Sequence, residues 1–328
     1  MKTILVTGGA GYKGSLLTGK LLDKGYNVKV LDLFLYDPES LNIYSENKNL
    51  EIIRGDIRDK SKVETACENT DAIIHLASIS NDPTAELDEE ITKSVNYDSY
   101  PLLIETAKKN KVKRFINASS SSVFGIKHEQ NVTEELEPEP ITVYSKYKAL
   151  SEKIVTAAAS DEFTTVNIRP ATVCGYSPRQ RFDLTVNILT KSAITDGVIT
   201  VHGGEQMRPN ITIEDITDLY IKMINIDSEL INGDTFNFGF ENLKVIEIAE
   251  IIKETLNRDV EIKIEPVYDQ RNYHISSEKI IKKLGIKPKH TIKDMVVDLE
   301  KAFAKGKYPN PNDTKYYNIK KMQLEDFK

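Results

Sequence analysis

Tyr144 and Lys148 stand four residues apart in the run Tyr144-Ser145-Lys146-Tyr147-Lys148. On a helix that spacing puts both side chains on one face. A phenol ordinarily titrates at about 10, and an ammonium a few ångströms away favours its ionised form. A positively charged pyridinium ring alongside pushes the same way. The pair therefore has the makings of a general base. Some twenty residues earlier, Ala118-Ser119-Ser120-Ser121-Ser122-Val123-Phe124-Gly125 sets a serine cluster after an apolar run. There Ser120 can hold the oxygen of the group that Tyr144 deprotonates. A Tyr-x-x-x-Lys pair alone is a common surface motif, so its company decides the reading.

That company begins with Thr7-Gly8-Gly9-Ala10-Gly11-Tyr12-Lys13-Gly14. Gly8 permits a tight turn, Gly11 lets the backbone approach a pyrophosphate, and Gly14 lets a helix sit close to a strand. The helix that follows offers free N–H groups and a positive dipole end to phosphates. Asp32 comes some 20 residues later, where a carboxylate meets the adenine ribose hydroxyls. Leu33, Phe34 and Leu35 follow it, with no Arg or Lys to receive a 2′-phosphate, which favours NAD over NADP. Asp56, in Gly55-Asp56-Ile57, either lies against the adenine or caps the next helix. Leu76, Ala77 and Ser78 line the cofactor with backbone and small side chains, while His75 before them reads as structural.

These residues need elements to position them. Apolar runs at Thr3–Thr7, Asn27–Leu31, Leu50–Ile53, Ala72–Leu76, Arg114–Ala118 and Thr165–Arg169 are rich in Val and Ile and do not alternate with polar residues. Strands covered on both faces look like this. Helical patterns at Ser15–Lys24, Ser61–Glu68, Tyr97–Asn110 and Ser145–Ala159 lie between them. Right-handed crossovers make that alternation an α/β, doubly wound parallel sheet. Beyond Arg169 the pattern loosens into a smaller mixed α/β lobe. It begins at the loop Gly175–Arg181, has helices near Asp183–Asp196, Asp215–Asn225, Lys244–Asn257, Ser276–Leu284 and Thr291–Ala304, and ends in an extended tail around Tyr308–Asp313.

The 328 residues, 37.1 kDa in mass, are 40% hydrophobic and 29% charged, values of a globular protein rather than a disordered one. A formal charge of −6 gives no general pull on nucleic acid. No stretch reaches the roughly 18 apolar residues of a membrane span, and the opening residues do not resemble a signal peptide. Cys67 and Cys174 form neither a metal-ligand spacing nor a disulfide framework, so no metal is expected. The expectation is a soluble cytoplasmic protein.

The order of glycine turn, Asp32, serine strand and Tyr144/Lys148 resembles the extended short-chain dehydrogenase/reductases. Within them it is most similar to the nucleotide-sugar epimerase/dehydratase family, of the UDP-glucose 4-epimerase kind. Further matching pieces are Asn96, Arg169-Pro170-Ala171-Thr172, Gly203–Arg208 with Asp215, Phe236–Gly239 and Asp269–Tyr273. The resemblance implies a Rossmann domain over residues 1–172, with returning segments near 211–240, and a mainly substrate-binding lobe over 173–328. It implies that Tyr12, Lys13, Ile57, Asn96, Ser119, Pro170 and Ala171 join the glycines and Asp32 around NAD. Tyr144 is then the base, Lys148 anchors the nicotinamide ribose, and Ser120 partners the sugar C4 oxygen. Ser121, Thr172, Asp183, Leu184, Arg181, Arg208 and Arg271 fall on the side of a nucleotide-diphosphate sugar, with Arg179 as a further cation.

One departure narrows the reaction. Where 4,6-dehydratases of the family carry Asp-Glu after the Ser/Thr, this chain has Ser121 and Ser122. That disfavours dehydration and leaves oxidation at C4. A 4-epimerase is preferred because it regenerates its own cofactor. A 4-dehydrogenase or 4-ketoreductase, for example on a nucleotide-linked heptose or deoxysugar, is the alternative. Retention of Ser120, Tyr144 and Lys148 argues against a non-catalytic NAD-binding module. The resemblance also implies a homodimer through Tyr97–Asn110 and Ser145–Ala159.

Overall fold

The computed structural model describes residues 1–127, 129, 131–266 and 274–324. The Val/Ile-rich runs become β1 (Thr3–Thr7), β2 (Asn27–Asp32), β3 (Leu50–Arg54), β4 (Ala72–His75), β5 (Arg114–Ala118) and β6 (Thr164–Pro170). The chain beyond them adds β7 (Thr172–Cys174), β8 (Val198–His202), β9 (Met207–Thr212), β10 (Asp234–Phe238), β11 (Glu241–Lys244) and β12 (Glu261–Glu265). Seven strands form one parallel sheet in the order β10-β6-β5-β4-β1-β2-β3. The direction of winding reverses between β1 and β4. In open α/β sheets the ligand crevice opens there, outside the carboxyl ends of the strands.

Every residue of β4, β5 and β6 is buried. Successive side chains feed opposite faces, as a strand's period of two demands. Ile4 and Val6 enter one hydrophobic cluster with the helix Tyr12–Asp23, while Leu5 enters a second with the helix Ser99–Lys109. The helix Val143–Ala157 starts at a reciprocal cap between Thr142 and Ser145. Its first turn is therefore well defined; Tyr144 lies in it and Lys148 one turn further on.

Three differences from the sequence reading have local causes. The segment expected as one helix over Tyr97–Asn110 opens instead with a π-helical turn at Ser94–Asp98. That turn carries the buried Asn96, whose side chain is bonded to Ile79, and such turns recur at functional sites. The loop after β4 holds short helices at Asp82–Ala85 and Glu89–Lys93, each capped by its own side chain, Asn81 and Asp88. The tail is not simply extended. Tyr308 and Tyr316 pack on Phe182, and a helix follows at Asn318–Leu324.

The second lobe pairs β11-β9-β7 in one small sheet and β12 with β8 in another. The chain returns to the large sheet through the helix Ile213–Met223 and through β10, which pairs with β6. Lys20 reaches across to Glu214 at 2.8 Å and Asp218 at 2.6 Å, tying that helix to Tyr12–Asp23.

Candidate active site

A cleft of about 690 Å³ opens at the carboxyl ends of β1, β2, β4 and β5 and is closed by the second lobe. The glycine turn forms its floor. Gly8 has φ +72°, and a Cβ there would lie 2.6 Å from Ala77 N. A Cβ on Gly14 would lie 2.1 Å from Gly8 O, so the helix packs on the turn's own backbone. Close approach to a strand falls instead to Gly9, whose missing Cβ would meet Val30 in β2 at 2.8 Å. Gly11 begins the helix with no side-chain cap, and the only atom near its missing Cβ is Gly8 O at 3.2 Å. The helix N-terminus is thus open to an anion.

Asp32 lies beside this turn and accepts from Ala10 N at 2.9 Å and Phe34 N at 2.7 Å. Burial pushes its pKa up, while those two N–H groups, Arg179 and Arg54 pull it back. Each carboxylate oxygen keeps acceptor capacity for a hydroxyl. The residues after Asp32 carry no cation, yet the fold brings two in. Arg54 stacks on Phe34 at 4.0 Å and Arg179 on Tyr36 at 4.4 Å.

Asp56 lines the cleft but caps nothing, since Asp59 caps the following helix. Its carboxylate is gripped by Arg58, with Nη2 to Oδ2 at 2.7 Å and Nε to both oxygens. Ile57, Leu76, Ala77 and Ser78 line the wall. Asn96 stands behind that wall, outside the cleft lining. It accepts from Ile79 N and Ser78 Oγ and donates to Ile79 O. His75 is structural. It bonds Thr7 Oγ at 2.7 Å, meets Tyr100 edge-on, and burial holds its pKa down to about 3.

Ser119, Ser120, Ser121, Ser122, Tyr144 and Lys148 all line the same cleft. Ser120 Oγ accepts from Ser122 N at 3.2 Å and Ser122 Oγ at 2.9 Å, and the buried Ser119 Oγ lacks a partner. Lys148 Nζ donates to Ala118 O at 2.9 Å and lies 5.9 Å from the centre of the Tyr144 ring. Burial first, and then the charge of Lys13, lowers the Lys148 pKa to about 7. Burial and Arg181 lower that of Lys13 to about 8. Beneath the cleft Arg169 is clamped by Glu152 at 2.8 and 2.7 Å.

The other wall comes from distant parts of the chain. Pro170, Ala171, Thr172, Leu184 and Arg208 line it. Arg181 donates to Asp183 at 2.8 Å and to Ser80 at 3.2 Å. Tyr12 lines the cleft, but its phenol is turned away, donating to Gly175 O at 2.8 Å and accepting from Asn187 at 3.0 Å. Arg179 is almost fully buried and bonds Asn318 at 2.6 Å. Sequence reasoning missed Asn318, Ser80, Tyr36 and Arg58, since none belongs to a spaced pattern. Cys174 is buried outside the lining, and burial raises its pKa. Arg271, with the rest of Asp269–Tyr273, lies outside the described residues.

These features fit a dinucleotide: an uncapped helix N-terminus over a glycine turn, a buried carboxylate beside that turn, and buried cationic donors without partners among the described residues at Arg179 Nε and Arg181 Nη2. Similar proteins agree. The UDP-glucose 4-epimerase of Lactobacillus helveticus is 28% identical over 323 residues, covering 90% of this chain and 94% of that one. The uncharacterized protein y4nG of Sinorhizobium fredii is 34% identical over 177 residues, 54% of this chain and 42% of that protein. The structure of UDP-glucuronic acid 4-epimerase from Bacillus cereus in complex with NAD superposes with a TM-score of 0.79 at 25% identity, covering 90% of this chain and 94% of that one. The model of the NAD dependent epimerase/dehydratase family matches residues 4–239, and the chain belongs to that family.

Proposed function

We propose that the protein is a nucleotide-diphosphate-sugar 4-epimerase that works with NAD. The observation that carries this reading is the meeting of Ser120, Tyr144 and Lys148 in the cleft that the glycine turn and Asp32 also line. NAD, when bound, supplies a two-electron acceptor for the hydrogen on the sugar's C4 and gives it back. Gly8, Gly11, Gly14 and Asp32 hold the dinucleotide, with Lys13, Ser119, Pro170 and Ala171 along its length. Tyr144 takes the proton of the C4 hydroxyl, and Ser120 donates to the oxygen as it becomes a carbonyl. Lys148, held by Ala118 O, keeps positive charge beside the phenolate. After the sugar turns in the cleft, Tyr144 returns its proton to the same oxygen. C4 is inverted with no net oxidation. Ser121, Thr172, Asp183 and Leu184 shape the sugar pocket, and Arg181 and Arg208 meet the diphosphate.

Dehydration is disfavoured by the residues next to Ser120. Ser121 and Ser122 supply no carboxylate, and Asp82, near the start of the Tyr144 helix, is engaged by the Thr142 hydroxyl at 2.6 Å. A 4-dehydrogenase or 4-ketoreductase uses the same residues. Proton NMR of products from a panel of UDP-, GDP-, CDP- and dTDP-sugars separates the readings. An equilibrium pair of C4 epimers without added cofactor supports the epimerase, whereas a released keto sugar with stoichiometric NADH defeats it. We further propose that residues 1–172 and the returning segments serve the dinucleotide, residues 173–328 the sugar, and that the enzyme is a cytoplasmic homodimer. A monomeric mass by light scattering refutes the dimer.

A further inference from the structure

We propose that Asn318, carried in by the C-terminal segment, is a positioning residue that aims the guanidinium groups of Arg179 and Arg181 at a diphosphate in the cleft. The inference rests on anion binding by the cleft and is independent of which reaction follows.

Asn318 lies 135 residues beyond Asp183, yet it is 1% exposed and lines the cleft. Its backbone N–H and both polar atoms of its side chain bond remote parts of the chain. Its backbone N donates to Asp183 Oδ2 at 2.8 Å. Its Oδ1 accepts from Arg179 Nη2 at 2.6 Å, and its Nδ2 donates to Ser80 Oγ at 3.1 Å. Ser80 in turn accepts from Arg181, which is paired with Asp183. One side chain thus cross-links both arginines and the loop after β4.

The arrangement leaves two buried donors unfilled. Arg179 Nε and Arg181 Nη2 have no partner among the described residues, and both residues line the cleft. Arg179 has no carboxylate within salt-bridge distance among the described residues; its charge meets the face of Tyr36 and the oxygen of Asn318. A buried cation with a spare donor calls for an anion. Diphosphate supplies it, either from the dinucleotide or from a nucleotide sugar. The rest of the segment acts as a clasp. Phe182 N donates to Tyr316 O at 2.9 Å, and the Phe182 ring, fully buried, is enclosed by Phe303, Tyr308 and Tyr316. The residue between the two binding arginines and the aspartate is therefore held by the same stretch that delivers Asn318.

The test is Asn318→Ala in the full chain, read by calorimetric Kd values for NAD, UDP and GDP and by the melting temperature. Loss of a charge-assisted bond predicts at least about tenfold weaker binding of a diphosphate ligand, and a KM for the sugar nucleotide that rises more than kcat falls. If only the NAD Kd moves, the arginines face the dinucleotide; if only the UDP or GDP Kd moves, they face the substrate. Asn318→Asp keeps an acceptor for Arg179 but adds a competing negative charge, so it should fail to restore affinity. A lower melting temperature with all three Kd values unchanged overturns the proposal.

Discussion

The two walls of the cleft are built by different means. The turn wall, Gly8 to Gly14 with Asp32, is backbone geometry. The residues of the turn are close in sequence and its key feature is the absence of side chains, with the Asp32 carboxylate bonded to Ala10 N beside it. The lobe wall, with Arg179, Arg181, Asp183, Arg208 and Asn318, is a set of charged and polar side chains from remote segments, buried in a shared hydrogen-bond network. The contrast separates two tasks. A glycine turn receives any dinucleotide phosphate, because N–H groups and a helix dipole recognise charge alone. A planar guanidinium held by partners recognises shape as well. The first wall suits a phosphate of any origin and the second a ligand of defined shape.

The residues proposed to act as base and its partners, Ser120, Tyr144 and Lys148, line the cleft with both walls, and the largest effect belongs there. Tyr144→Phe should cut turnover by about 10³-fold while the protein still carries NAD, seen in the absorbance of the purified enzyme. Turnover near the wild-type rate would remove the base. On the lobe wall, Arg181→Met leaves the Asp183 carboxylate buried without its cation. Breaking such a pair costs about 3 kcal/mol or more, measurable by denaturant unfolding. On the turn wall, Gly14→Ala sets a Cβ against a carbonyl that is itself backbone. Overpacking of that kind costs about 2 kcal/mol, and here NAD affinity should fall more than stability. If Gly14→Ala harms folding but spares NAD binding, the division of tasks between the walls is wrong.

A smaller effect reads the field between them. Burial holds Lys148 down to about 7 and Lys13 to about 8, because loss of solvent disfavours the charged forms. An arriving pyrophosphate favours the charged form of Lys13, at the glycine turn, and raises its value. At pH 7.5 the protein should therefore take up protons as NAD binds. Calorimetry in two buffers of different ionisation enthalpy measures this, and proton release would contradict it. The smallest effect is expected at Cys174. Its thiol is buried and its pKa raised, so it is unreactive, and Cys174→Ala should leave turnover within about twofold of the parent.

Much of the fold was legible because its causes are local. β1 and β5 have the bounds that their apolar runs suggest, and the other sheet strands differ by a residue or so. Short Val/Ile runs do not alternate when both faces are covered, and that signal needs no knowledge of partners. The π-turn at Ser94–Asp98 was not legible. It answers to the buried amide of Asn96 and its bonds to Ile79, which no periodicity announces. The short helices before it are fixed by single capping side chains in a stretch with weak hydrophobic pattern.

By itself the sequence determined the glycine turn, the carboxylate that ends β2 and the one-turn spacing of Tyr144 and Lys148. Each depends on a bond or a dihedral within a few residues. Only the tertiary structure decided that Arg179 comes beside Asp32 and that Asn318 stands in the cleft. Those meetings join residues up to 238 positions apart, as Ser80 with Asn318. They exist only because two lobes close over one sheet edge, and a buried polar group must then find its partner wherever the chain happens to bring one.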